Sequence, residues 1–164
     1  MFGSFASKLY LPNSDIDLLV LMPRDCRKSE RTLIDKLQVA IVKRGIARGM
    51  EAIPAKVPIL KVTERRTGVN VDISFNRTNG VAAVRAVKAF SRKFPDLKYL
   101  LLVIKCYLRG RGLNETFSGG LGSYLLTLMV VAFLQCAFKT RTRTLLLSEL
   151  LINFFEFYGH KLNY

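Results

Sequence analysis

Apolar and polar residues alternate through Asp15-Ile16-Asp17-Leu18-Leu19-Val20, and again through Val69-Asn70-Val71-Asp72-Ile73-Ser74-Phe75. A two-residue period marks a strand with one buried face. It predicts a strand over Asp15–Met22 that turns Ile16, Leu18 and Val20 to a core. It predicts another over Val69–Phe75, with Val69, Val71, Ile73 and Phe75 as its apolar row. Lys56–Arg65 reads as a further strand, which Arg66-Thr67-Gly68 turns back into Val69–Phe75 as an antiparallel hairpin. Pro54 and Pro58 at its start point to an edge strand or a strand beginning. Between the first two strands, Leu33, Leu37, Ala40 and Ile41 recur at helical spacing. Ser29 can cap that helix, and Lys43-Arg44-Gly45 ends it.

After Gly80 the period becomes helical throughout. Helices are expected over Val81–Phe90, Leu97–Arg109, Ser123–Phe138 and Leu145–Tyr158. Pro95 separates the first two; Leu97, Leu100, Leu101, Ile104 and Leu108 would face inward on the second. Thr144 can cap the last helix and Gly159 close it. The change of period near residue 80 divides the chain into a mixed part, 1–80, and a helical part, 81–164. Thr116 to Phe138 carries no charge and is followed by Lys139, Arg141 and Arg143, the pattern of a membrane span with basic flanks. Its apolar part, Leu125–Phe138, is shorter than a full span, and Ser118, Gly119, Gly120, Gly122 and Ser123 dilute the rest. A buried helix is expected there, and no membrane partner.

Composition narrows the class. At 164 residues, half of them apolar, the chain can form one average domain or two small ones sharing an interface. An excess of 26 Lys+Arg over 12 Asp+Glu, net +14, attracts polyanions such as a nucleic-acid backbone. Cys26, Cys106 and Cys136 are odd in number and far apart. They read as reduced, structural and intracellular, which excludes a disulfide scaffold and a thiolate metal site. No secretory signal is visible.

The candidate chemistry lies on the polar faces of the two strands. Asp15 and Asp17 point one way, and Asp72 stands on the polar side of the other strand. Three converging carboxylates repel one another unless cations lie between them. Oxygen-only donors suit Mg²⁺, and two such ions can stabilise the attacking and leaving oxygens of an in-line displacement. Gly3-Ser4 precedes Asp15-Ile16-Asp17-Leu18 by a ten-residue gap, a far more specific pattern than Asp-x-Asp alone. Small residues there let backbone N–H groups approach phosphate oxygens. Lys105 and Arg109 are four apart on an otherwise apolar helix. Like charges at that spacing cost about 0.2–0.5 kcal/mol, a sign that a bound anion would reverse; the alternative is a pair of snorkelling cations at a solvated edge. Taken alone, Tyr124 reads as a core aromatic, Asn79 as a helix cap and His160 as a surface residue. Lys139, Arg141 and Arg143 form a basic connector that could equally track an RNA backbone.

Phe2-Gly3-Ser4-Phe5-Ala6 through Leu9-Tyr10-Leu11-Pro12-Asn13-Ser14-Asp15-Ile16-Asp17 resembles the signature of the polymerase-beta-like nucleotidyltransferases. Within them it resembles the TRF-type poly(A) polymerases, also called DNA polymerase sigma. Three further stretches agree in the same order: Val71-Asp72-Ile73-Ser74-Phe75-Asn76 with Asn79-Gly80-Val81; Gly119-Gly120-Leu121-Gly122-Ser123-Tyr124; and Phe154-Phe155-Glu156-Phe157-Tyr158-Gly159 with Asn163-Tyr164. The resemblance implies an α+β fold: a catalytic domain with a mixed sheet over 1–80, then part of a mostly helical central, poly(A)-polymerase-associated domain over 81–164, with the nucleotide in the cleft between. It implies template-independent addition of AMP from ATP to RNA 3′ ends, with two Mg²⁺ (or Mn²⁺) ions. It also implies RNA-binding and helicase partner subunits of a TRAMP-like surveillance complex, and a nuclear location.

The same resemblance assigns roles. Gly3 and Ser4 would bind the triphosphate, and Asp15, Asp17 and Asp72 would hold the metals, Asp72 also activating the RNA 3′-hydroxyl. Lys105 and Arg109 would reach the phosphates, Ser123 would touch the triphosphate, Tyr124 would stack on the base and Asn79 would contact the ribose. Two family parts are not in the sequence: a helix and strand before Gly3-Ser4, and the nucleotide-recognition segment expected after Tyr164. Two other functions therefore stay open, a uridylyltransferase using UTP and an inactive basic module binding RNA or protein.

Overall fold

The computed structural model describes residues 1–23, 25–54, 57–76, 79–114, 116, 119–140 and 145–162, with backbone alone for 138–140. The chain divides into two compact units, Met1–Val84 and Arg85–Tyr164.

In the first unit the alternating segments form a four-stranded mixed sheet. Its strands are β1 (Ile16–Val20), β2 (Ala47–Ile53), β3 (Ile59–Glu64) and β4 (Asn70–Phe75), in the order β1-β4-β3-β2. β1 runs parallel to β4, and the other neighbours are antiparallel. A short helix α1 (Gly3–Ser7) packs beside β1, and α2 (Glu30–Lys43) covers one sheet face. Leu33, Ile34 and Ile41 of α2 form a core with Leu60, Val62 and Phe75 of β3 and β4. Because side chains alternate along a strand, burying that set fixes the opposite face: Asp17 on β1, Asn70 and Asp72 on β4, Lys61 and Thr63 on β3. This face carries the chemistry.

The hairpin β3–β4 turns at Gly68, whose φ of 72° suits glycine. The Glu64 carboxylate accepts from the Thr67 hydroxyl (2.6 Å) and from the Thr67 and Arg66 amides (2.7 and 3.0 Å). Those bonds, the Thr67 hydroxyl first, hold its pKa down at about 2. α2 begins as its sequence predicts, with the Ser29 hydroxyl accepting from Thr32 N–H at 3.2 Å. Ser29→Ala should lower thermal stability by about 1 kcal/mol and leave the sheet unchanged, as a melt with circular dichroism would show. An unchanged melt would mean the cap contributes nothing.

Three readings change. β2 was not expected: Ala47-Arg48-Gly49-Met50-Glu51-Ala52-Ile53 lacks alternation and β-branched weight. It exists because it completes β3's open edge, with a bulge at Arg48 between the Ala47↔Glu64 and Gly49↔Thr63 pairs. β3 is therefore an inner strand, and Pro58 marks its beginning rather than an edge. β1 is shorter than Asp15–Met22: Asp15 lies just before it, and Met22 N–H bonds instead to Asn76 Oδ1 at 2.8 Å.

The second unit is helical. α3 (Asn79–Lys93) starts in the first unit and runs into it, beginning two residues before the expected Val81. α4 (Leu97–Arg109), α5 (Ser123–Thr140) and α6 (Leu147–Glu156) follow, and α4 packs against α5 and α6. Leu97, Leu100, Leu101, Ile104 and Leu108 are all buried, as their spacing predicts. Phe133 of α5 meets Phe154 of α6 edge-on at 5.6 Å. The Tyr158 hydroxyl donates to Met129 O at 2.8 Å. α6 starts later than expected, with the Glu149 carboxylate accepting from Leu146 N–H at 2.8 Å. Thr144, Arg141, Arg143 and Asn163-Tyr164 lie outside the described residues. Gly159 does not close the helix; the chain continues as a π-helical turn, Phe157–Lys161. No helix among the described residues is long and apolar enough to cross a membrane. The three cysteines are in no disulfide, and Cys106 and Cys136 are exposed rather than part of a core.

Candidate active site

The register across the sheet builds the site. Asp17 of β1 stands opposite Asp72 of β4, Asp72 opposite Lys61 of β3, and Lys61 opposite Glu51 of β2. Adjacent strands are about 4.8 Å apart, so these four side chains form one row across the face away from α2. Asp15 lies two residues before Asp17, and it lines a cleft of about 320 Å³ together with Glu51, Lys61, Thr63, Asn70 and Asp72.

Gly3 sits at φ 66°, and a Cβ there would collide with the Asp17 carboxylate. Phe2 N–H donates to Asp17 O at 2.9 Å, which ties the start of the chain to β1. The α1 turn closes on itself through Ser4 O, which accepts from Leu9 N–H and from the Ser7 hydroxyl, each at 3.0 Å. Ser4 is thus fixed one residue from the glycine that abuts Asp17.

Asp72 is the electrostatic centre of the row. Burial raises its pKa above the usual carboxylate value, the Lys61 ammonium opposes that, and the Asp15 charge adds to the rise. Its Oδ2 lies 3.8 Å from Lys61 Nζ. Its Oδ1 is buried without a hydrogen-bond partner. A buried carboxylate oxygen with no donor is costly, and a cation is the group that satisfies it beside further carboxylates. The donor set therefore suits a hard cation at Asp72, with the Asp15 carboxylate lining the same cleft. Among the described residues, no three carboxylate, histidine or cysteine side chains converge closely enough to enclose an ion by themselves.

The other sequence candidates lie elsewhere along the chain. Asn79 is exposed at the start of α3. In the helical unit, Lys105 is buried, with 9% of its surface exposed, beside Leu101, Ile104 and Leu108. Arg109 is exposed one turn on. Ser123 opens α5 and its carbonyl accepts from the Thr127 hydroxyl at 2.7 Å. Tyr124 is 46% exposed and so is not a core aromatic. His160 is exposed as expected. Lys61 and Glu51 were missed. The signal for Lys61 was present: alternation in β3 places it on the polar face, and the hairpin places that face beside Asp72. Glu51 had no signal, since β2 itself had none.

Comparison with known proteins places this geometry. Residues 1–92 match the family described as the central palm domain of mitochondrial-like poly(A) RNA polymerase. The chain is 38% identical over 169 residues to Poly(A) RNA polymerase protein 1 of Saccharomyces cerevisiae; the match takes in all of this chain and 26% of that protein. It is also 38% identical over 179 residues to the inactive non-canonical poly(A) RNA polymerase protein Trf4-2 of Drosophila melanogaster, again over the whole chain and 41% of the relative. The fold superimposes on the polymerase core of TRAMP, an RNA surveillance complex, with a TM-score of 0.89 and 35% identity, covering 99% of this chain and 52% of that one. The chain thus spans a minority of the length of these curated relatives. With an α+β fold, a mixed sheet and the Gly-Ser, Asp-x-Asp and Asp72 elements in place, the chain belongs to the poly(A) RNA polymerase palm-domain family, in the TRF-type branch of the polymerase-beta-like nucleotidyltransferases.

Proposed function

We propose that this chain carries the catalytic centre of a template-independent nucleotidyltransferase that adds AMP from ATP to RNA 3′ ends. The observation that carries the reading is the in-register pair Asp17↔Asp72, with the Gly3 backbone against Asp17 and an unsatisfied, buried Asp72 oxygen. Residues 1–80 are the catalytic domain and 81–164 a part of the helical central domain. Asp15, Asp17 and Asp72 would hold two divalent ions, Mg²⁺ or Mn²⁺, which when bound supply charge neutralisation for the attacking and leaving oxygens.

The residues' own work is positioning. Gly3 keeps the α1 turn close to Asp17, so that its backbone and the Ser4 group face the nucleotide phosphates. Asp72, in register with Asp17 and lining the cleft, is the carboxylate positioned to take the proton of a 3′-hydroxyl. Lys105 and Arg109 with the phosphates, Ser123 with the triphosphate, Tyr124 under the base and Asn79 at the ribose are further proposed contacts. The net charge of +14 favours the RNA backbone. A surveillance-type complex with RNA-binding and helicase subunits, in the nucleus, is the inferred setting.

The test is extension of a labelled RNA primer with each of the four nucleotides in turn, under Mg²⁺ and then Mn²⁺. ATP should extend the primer and the double variant Asp15→Asn, Asp17→Asn should not. UTP as the favoured nucleotide would replace the adenylyl reading with a uridylyl one. No extension by folded protein would leave the inactive module, a reading favoured by the name of the fly relative.

A further inference from the structure

Among the described residues, the cation in the carboxylate row is Lys61, and the proposed reaction gives it no part. Its Nζ lies 3.8 Å from Asp72 Oδ2, while Oδ1 of the same carboxylate has no hydrogen-bond partner. Asp72 is therefore held from one side only. Lys61 is half exposed and Asp72 only 19% exposed, so the lysine can leave the pair and the carboxylate cannot. Across the other flank stands Glu51, one strand spacing away and lining the same cleft. An ammonium released from Asp72 has a second carboxylate within reach of its four-carbon stem.

We infer that Lys61 is a built-in counter-ion of Asp72: it neutralises the carboxylate while no divalent ion is bound and is displaced toward Glu51 when one arrives. This deepens the proposed reaction and rests on the reading of Asp72 as a metal-holding residue. The physical reason is that Asp15 and Asp72 line one cleft as like charges, and the sheet must tolerate their repulsion without metal. Lys61 supplies one positive charge in register, from β3, at the cost of competing with the incoming ion. It is a positioning residue, acting through Asp72.

Competition gives a definite sign. Removing the ammonium should tighten divalent-ion binding, whereas a residue that merely shaped the site would weaken binding when removed. Mn²⁺ alone would be titrated into the full 164-residue chain by calorimetry, with electron paramagnetic resonance counting free Mn²⁺. Lys61→Met should bind Mn²⁺ tighter by roughly tenfold, the order expected for one charge removed at partly screened range. Lys61→Arg, which keeps the charge, should bind as the unaltered protein does. In thermal melts without metal the Met variant should unfold earlier, and Mn²⁺ should raise its midpoint by more than that of the unaltered protein. If Lys61→Met does not melt cooperatively, Lys61→Gln takes its place in both measurements. Equal or weaker Mn²⁺ binding by the uncharged variant overturns the counter-ion role. Absence of Mn²⁺ binding by the unaltered chain overturns the metal-holding reading itself, a separate and recognisable outcome.

Discussion

Asp17→Asn is expected to lower nucleotidyl transfer by about 10²–10³-fold, the scale seen when one element of transition-state charge stabilisation is removed. Asparagine keeps the shape of the side chain and removes its charge. The backbone bonds of β1 do not pass through the carboxylate, and Phe2 N–H still reaches the residue 17 carbonyl. The fold should therefore persist. Its thermal midpoint should stay close to that of the unaltered protein, because β1 keeps its backbone pairing with β4. Single-turnover extension of an RNA primer, paired with a melt of the same sample, reads both quantities. Transfer at the unaltered rate would remove Asp17 from the reaction. Loss of transfer together with loss of the fold would instead make it a structural residue.

Gly3→Ala is the second large effect, and it separates two causes that usually travel together. At φ 66° any L side chain is strained, by about 1–2 kcal/mol. At this position the new Cβ would also meet the Asp17 carboxylate. Either the α1 turn withdraws from β1, loosening the Phe2-to-Asp17 hydrogen bond, or the carboxylate rotates out of the row. Each route moves reacting groups by about an ångström, which is worth on the order of 10²-fold in rate. Gly112→Ala provides the control. Gly112 has the same φ of 66°, but a Cβ there meets nothing within 4 Å. Both variants should lose comparable stability from backbone strain, and only Gly3→Ala should lose transfer beyond that. Equal transfer by the two would mean that the approach of Gly3 to Asp17 has no part in the chemistry.

Much of the site's raw material can be read from the chain. Alternation over Ile16–Val20 and Val69–Phe75 tells which face of each strand is polar, so the carboxylates' directions follow from the pleat. The hairpin through Gly68 and the cap at Ser29 follow from local turn and cap chemistry, which needs no distant partner. The helices of the second unit follow because Leu97, Leu100, Leu101, Ile104 and Leu108 repeat at a helical period. Family membership follows from four motifs in a fixed order.

What the sequence alone did not contain is decided by pairing across distance. Nothing in Ala47–Ile53 announces a strand; that segment is a strand because β3 offers an unpaired edge. The strand order, and hence the row Glu51, Lys61, Asp72, Asp17, depends on β4 inserting between β1 and β3, although β1 precedes both in the chain. The contact of Gly3 with Asp17 and the one-sided hold of Lys61 on Asp72 arise only once these strands are in register. The local periods are short-range and written residue by residue, so the sequence by itself determined the elements and the direction each side chain faces. Register and neighbours come from non-local hydrogen bonding and from the packing of α2 on one face, so only the tertiary structure decided which charges meet.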